Sequence, residues 1–296
     1  EHNAVEPARY VAAPVALSRE EARRQRRLIL VAEDNEINQK VIMQQLSLLG
    51  LTADLAGDGL QALIRWRSGD YALIVTDLHM PGMDGYQLAS VIRAEEQERA
   101  NARIHAGKPV APAVRILALT ANALKTEAQR CKDAGMDDYM SKPVPLSQLQ
   151  DLLERWLPKP MDANLAPEPS TNMRPLFTGP VDIQVLRGLV GDDPQLIREF
   201  LQAFRSSAAR IAQEVEQAYR AGSAAKTVAA VHKLKSAARS VGAMALGDLC
   251  ADMEQVGAGG QIDALALAFE HFKREMAATD RHLAELLSDN GQDGAP

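Results

Sequence analysis

Cysteine is nearly absent from this sequence: Cys131 and Cys250 are the only two among 296 residues. They stand far apart with no CxxC pair, so neither a disulfide framework nor a zinc site is indicated. A reducing, cytoplasmic setting fits that usage best. Positive charge is in deficit as well, and a formal net charge of −6 gives no reason for direct nucleic-acid binding. No apolar run approaches the ~18–20 residues that span a bilayer, and no signal peptide is visible. A glycine-rich phosphate loop is missing, so the chain as given is not expected to autophosphorylate from ATP. An initial Met is missing too, and the opening at Glu1 suggests a fragment of something longer.

What is present is enough for two ordinary soluble domains: 296 residues, 46% hydrophobic and 24% charged. Residues 1–27 read as a linker or short helix ending in the basic run EARRQRR. From Arg27 strand and helix patterns alternate. Strands are expected at Leu28–Ala32, Thr52–Leu55, Ala72–Thr76, Val114–Leu119 and Asp138–Met140. Helices are expected near Glu36–Leu49, Gly59–Arg67, Tyr86–Glu98, Asn122–Ala134 and Leu146–Trp156, with a long polar loop at Arg99–Ala113. Five βα units imply an α/β fold, a doubly wound, five-stranded parallel sheet of flavodoxin-like type, over 28–157.

Residues 158–180 hold six of the fifteen prolines and read as a linker. Beyond it strand patterns stop. Helical periods run near Asp182–Leu189, Pro194–Ala221, Ser223–Val241, Ala245–Val256 and Ile262–Leu287, which predicts an all-α bundle over 181–288. The tail 289–296 reads as disordered.

The stretch YALIVTDLHMPGMDG, from Tyr71 to Gly85, organises the first domain. Its apolar run has the character of a buried parallel strand and delivers Asp77 at the carboxyl end, where open α/β sheets bind ligands. Other strand ends deliver Glu33 and Asp34, Thr120, and Lys142 before Pro143. Three carboxylates brought together want a cation, and hard oxygen ligands suit Mg²⁺. Lys142 and the Thr120 hydroxyl can hold the remaining oxygens of a phosphoryl group. The set favours phosphoryl transfer to Asp77, a reaction that depends on positioning and charge neutralisation.

These residues resemble the receiver domain of two-component signalling. The matching segments are AEDN at 32–35, VTDLHMPGMDG at 75–85, LTANA at 119–123 and GMDDYMSKP at 135–143. The resemblance implies that Asp77 is the phosphoacceptor, and that Glu33, Asp34, Asp77 and the main-chain carbonyl of His79 surround Mg²⁺. It implies further that Thr120 is the switch hydroxyl, that Lys142 contacts the phosphate ahead of a cis bond to Pro143, and that Tyr139 occupies the switch aromatic position. The His79 imidazole reads as a loop side chain.

The second stretch is VHKLKSAARSVGA at 231–243. On a helix, Val231, Leu234, Ala238 and Val241 share one arc and face the core. His232, Lys235, Ser236 and Arg239 fall on another, so His232 is expected to be exposed, with Lys235 beside it to offset an arriving negative charge. Residues 181–287 resemble a histidine phosphotransfer domain with a signature near H-x-L-K-G-x-x-x-x-x-G. His232, Leu234, Lys235 and Gly242 match; Ser236 departs from the usual Gly. Glu254 or Gln255 on the next helix could orient the ring, although packing or solvation is the favoured reading of both.

A receiver followed by a phosphotransfer domain looks like the C-terminal part of an unorthodox hybrid sensor histidine kinase. The implied order starts with an upstream kinase histidine, in the same parent chain, loading Asp77. His232 takes the phosphoryl group and passes it to a separate response regulator. A parent anchored in a bacterial inner membrane is the implied location. The linker spans ~25 Å as a flexible coil, which puts the two sites at an effective concentration on the order of millimolar. Two rivals remain. A hydrolase of the haloacid dehalogenase type wants a second Asp where His79 stands. The other is a receiver acting as a conformational switch, with the bundle as a docking or inhibitory module.

Overall fold

The computed structural model describes residues 16–121, 125–158, 179–259 and 262–289. Its chain begins with a short helix, α1 (Arg19–Arg24), inside the segment read as a lead-in. Ser18 caps it, and the Arg19 guanidinium donates to the Asp54 carboxylate at 2.9 Å. Residues 1–15 of that lead-in, like most of 158–180 and nearly all of the tail, lie outside the described residues.

Five strands follow, β1 (Ile29–Ala32), β2 (Ala53–Ala56), β3 (Leu73–Asp77), β4 (Arg115–Thr120) and β5 (Asp138–Ser141). Their order is β2-β1-β3-β4-β5 and every pairing is parallel. Helices α2 (Glu36–Leu48), α3 (Gly59–Trp66), α4 (Gly85–His105), α5 (Lys125–Asp133) and α6 (Leu146–Trp156) join them. Side chains alternate along each strand, so the sheet supplies two cores. Leu30, Ile74 and Ile116 meet Leu88 and Ile92 on one face. Ile29, Val31, Val75 and Leu117 meet Leu149 and Leu153 on the other. The register sets Ala32 beside Thr76 and Asp77 beside Leu119. The residues that follow β1, β3 and β4 therefore emerge level with one another. The winding direction changes between β1 and β3, and that is where an open α/β sheet leaves a crevice.

One expectation is corrected. The segment Arg99–Ala113 is not a loop throughout, because α4 continues to His105. Its sequence, EEQERANARIH, shows no apolar stripe, but Ala, Glu, Arg and Gln are strong helix formers. Exposed pairs such as Arg99–Glu95 lie along it.

The second domain holds α7 (Ile183–Val190), α8 (Pro194–Arg220), α9 (Ala224–Ser240), α10 (Met244–Ala258) and α11 (Ile262–Asp289). Asp193 caps α8 ahead of Pro194 at the first helical position, and Ser223 caps α9. Phe200, Phe204, Val231, Leu234, Leu246, Met253 and Phe272 fill the centre. Gly242 closes α9 with φ +84, and a Cβ there would stand 2.0 Å from the Asp182 carbonyl oxygen. The Asp182 N–H donates to the Gly242 carbonyl at 3.0 Å, which ties the start of α7 to the end of α9.

The two domains share a core. Ile37 and Val41 on α2 are buried in the same apolar cluster as Leu186, Leu189, Ile197 and Leu234 of the bundle. An ion pair between Arg210 and Glu36 at 3.4 Å lies over its edge.

Candidate functional site

Asp77 ends β3 with its side chain buried. Lys142, on the turn after β5, donates from Nζ to Asp77 Oδ2 at 2.7 Å and to Glu33 Oε2 at 2.5 Å. The Lys142 N–H is held by the Thr120 carbonyl at 2.6 Å, and the Lys142–Pro143 peptide is cis. One oxygen each from Glu33, Asp34 and Asp77 lies within 4.8 Å of the others. Burial pushes the Glu33 carboxyl up to about 7 even with Lys142 against it, and Asp77 adds to the rise. Burial and Asp77 also raise Asp34. Burial alone would lower Lys142, but Asp77 and Glu33 outweigh it and keep the ammonium protonated. The cluster thus carries more negative charge than one lysine answers. That surplus, and an all-oxygen donor set, fit a hard divalent cation.

Thr120 is fully buried at the end of β4. Tyr139 lies on β5 at the surface, 37% exposed. Gly85 belongs to this geometry: a Cβ there would meet the Asp77 carbonyl oxygen at 2.3 Å, so the backbone can turn into α4 directly behind the aspartate.

His232 lies on α9, and here the structure departs from expectation. Its side chain is 24% exposed, and Lys235 and Ser236 are buried. Ser236 and the His232 ring meet Asn38 and His79 of the first domain, while Lys235 and Arg239 turn to Glu254 and Asp248 on α10, none of which helical periodicity reports. The His79 ring stands edge-on to His232 with centroids 5.0 Å apart. His79 Nε2 lies 3.6 Å from Glu127, and the His79 main-chain N–H donates to Asp77 Oδ1 at 3.4 Å. Its imidazole is therefore no idle loop side chain; it meets the His232 ring and the Glu127 carboxylate. Burial and the neighbouring His232 hold its proton affinity below that of a free imidazole.

Glu254 on α10 accepts from His232 Nδ1 at 2.9 Å and from Lys235 Nζ at 2.5 Å. Packing or solvation was the favoured reading of this residue, and the structure replaces it with a direct contact to the ring. Gln255 beside it is exposed. Burial would raise the Glu254 carboxyl, yet the bonds from His232 and Lys235 hold it below its ordinary value. An ionised carboxylate only accepts, so in the neutral imidazole it is Nδ1 that carries the proton and Nε2 that has the lone pair. Lys235 is correspondingly spoken for by Glu254 and is not a free surface cation.

Sequence reasoning missed the residues that join the domains. Asn35 caps α2 through its oxygen and donates from Nδ2 to the Lys233 carbonyl at 2.9 Å. Asn38 donates to both Glu33 Oε1 and Ser236 Oγ. Asn35 sat in the AEDN segment without an assigned role, and Asn38 carried no local signal.

Residues 29–154 match the response regulator receiver domain family, and residues 199–286 match the Hpt domain family. The chain is a receiver domain followed by an Hpt domain. It is 29% identical over 279 residues to the virulence sensor protein BvgS of Bordetella parapertussis, an alignment covering 90% of this chain and 21% of that protein. It is 40% identical over 151 residues to the hybrid signal transduction protein dokA of Dictyostelium discoideum, covering 51% of this chain and 8% of that one. The chain thus spans about a fifth or less of the length of these relatives. Among solved structures, the complex of the histidine phosphotransfer protein Ypd1 with the receiver domain of Ssk1 from Saccharomyces cerevisiae aligns at 32% identity. That match has a TM-score of 0.40 and covers 44% of this chain and 87% of the other. Among the described residues of the receiver and Hpt domains, no helix is long and apolar enough to cross a membrane.

Proposed function

We propose that this chain is a phosphorelay module in which Asp77 receives a phosphoryl group from a kinase histidine and His232 takes it within the same docked chain. The observation that carries the reading is the placement of His232. Its Nδ1 proton is bound by Glu254, and its ring lies against the ring of His79, a residue whose main-chain N–H donates to the Asp77 carboxylate.

Mg²⁺ belongs to this reading: Glu33, Asp34, Asp77 and the main-chain carbonyl of His79 would hold it, and it would supply neutralisation of phosphoryl oxygen charge. The chain's own residues do the rest. Lys142 offers a protonated amine beside Asp77, and the Thr120 hydroxyl stands at the end of the adjacent strand. In the transfer, the His232 Nε2 lone pair forms a nitrogen–phosphorus bond as the bond between phosphorus and the Asp77 oxygen breaks. Asp77 leaves as a carboxylate that Lys142 receives. The proton on Nδ1 stays there, and the ring's positive charge is met by Glu254. Because that bond already exists, the imidazole is set in the nucleophilic tautomer before phosphate arrives.

The donor is an upstream histidine kinase domain of the same parent chain, and the final acceptor is an aspartate on a separate response regulator. These partners rest on the domain order and on the similarity to relatives that include a hybrid signal transduction histidine kinase. A parent anchored at the inner membrane, with this portion in the cytoplasm, fits the same reading. The test is labelled phosphotransfer from a phosphorylated kinase domain to wild type, Asp77→Asn and His232→Gln. Label reaching His232 only when Asp77 is intact supports the order. Label on Asp77 with none on His232 leaves the receiver as a switch and the Hpt domain as a docking module.

A further inference from the structure

The receiver and Hpt domains meet through a buried polar chain. The Asn38 amide is 5% exposed, and both N–H groups of its Nδ2 are used across 2.9 Å to Ser236 Oγ and 3.1 Å to Glu33 Oε1. Its oxygen faces Ser240 Oγ at 3.3 Å, and Ser240 Oγ also lies 3.0 Å from the Ser236 carbonyl. Ser236 and Ser240 are buried too. The orientation of the amide is set by chemistry: turned over, its oxygen would face the Glu33 carboxylate, and two acceptors would meet in a dry site. A second contact, Asn35 Nδ2 to the Lys233 carbonyl, uses main chain that any residue at 233 would offer. The Ser236 hydroxyl is different, because it exists only through the identity of that residue. It stands at the one signature position where this sequence departs from glycine.

We propose that Asn38 and Ser236 form an interdomain latch that holds the receiver on the Hpt domain and ties the docked state to the acidic cluster through Glu33. Both are positioning residues, and the inference rests on the phosphotransfer reading given above. Removing either partner leaves the other's polar group buried without its mate. A typical unmet buried hydrogen bond lowers such an equilibrium roughly tenfold. Undocking separates Asn38 from Ser236 and returns both to water. The same contact therefore favours the arrangement in which His232 stands by the receiver, and it must break before a different receiver can reach His232.

The test is a double-mutant cycle in the full chain with wild type, Asn38→Ala, Ser236→Ala and the double variant. Docking is read as the distance distribution between spin labels at exposed positions 65 and 252, since both native cysteines are buried. Wild type should give one narrow population. Each single variant should lower the docked-to-undocked ratio roughly tenfold, with the double variant little worse than either. In Ser236→Ala, labelling of Asp77 by a phosphorylated kinase domain should be unchanged while transfer to His232 slows in step with docking. Variants that dock like wild type, losses that simply add, or a wild type without a narrow population would overturn the latch. Coupled loss of docking in chains whose His232 never takes label would leave the latch standing and defeat the transfer reading instead.

Discussion

At the scale of single residues, Glu254 decides the state of His232. One carboxylate oxygen accepts from the imidazole and the other from Lys235, whose side chain is almost wholly buried. Glu254→Gln keeps the shape and removes the charge. Stability should fall by about 1–3 kcal/mol, measured by urea unfolding, because a buried ammonium loses its counterion. Transfer to His232 should slow on the order of tenfold, since the amide can present an N–H to Nδ1 and favour the other tautomer. The pH dependence follows from the depressed Glu254 carboxyl. A carboxyl held low in the folded state contributes stability that is present above its unfolded value of ~4.3 and is lost as pH falls through the folded value. The stability gap between wild type and Glu254→Gln should therefore be full at neutral pH and shrink below about pH 4. A gap that widens on acidification would contradict the assignment. The sequence showed Glu33, Asp34, Asp77 and Lys142 as a convergent set because each follows a strand, and strand ends of a parallel sheet share an edge. Glu254 had no such guide. Its meeting with His232 depends on how α10 packs on α9, which local pattern does not encode.

At the scale of elements, the strands and most helices were readable from period and punctuation, with β3 and α8 the clearest cases. The exceptions have physical causes. The second half of α4 has no apolar stripe, so its helix rests on propensity and side-chain pairs rather than amphipathicity. The polar arc of α9 looked solvated because periodicity tells which residues share a face, not what lies over it. Two substitutions probe elements. Gly242→Ala places a Cβ into the Asp182 carbonyl at a backbone conformation L residues seldom adopt. It should destabilise the Hpt domain by on the order of 3 kcal/mol and lower its melting temperature by roughly 10 °C in calorimetry. Ile37→Asp places a charge in the apolar seam between α2 and the bundle. It should leave both domains folded by circular dichroism, allow label onto Asp77, and abolish its onward passage to His232. Normal passage in that variant would show that the seam is not used for transfer.

For the whole molecule, the structure turns two recognisable domains into one docked unit. The sequence announced each domain through its own motifs and the tether between them, but not the face along which they meet. Asn35 and Asn38 carried no local signal of a partner, and the groups they bind lie about 200 residues away in the chain. That contact brings the His79 ring of the receiver against His232 of the Hpt domain. The most direct measurement of this account is the rate at which label leaves Asp77 for His232 in the purified chain, followed over a hundredfold range of protein concentration. Transfer within the docked chain predicts a first-order rate that does not change across that range. A rate proportional to concentration, or label that never appears on His232, would contradict it.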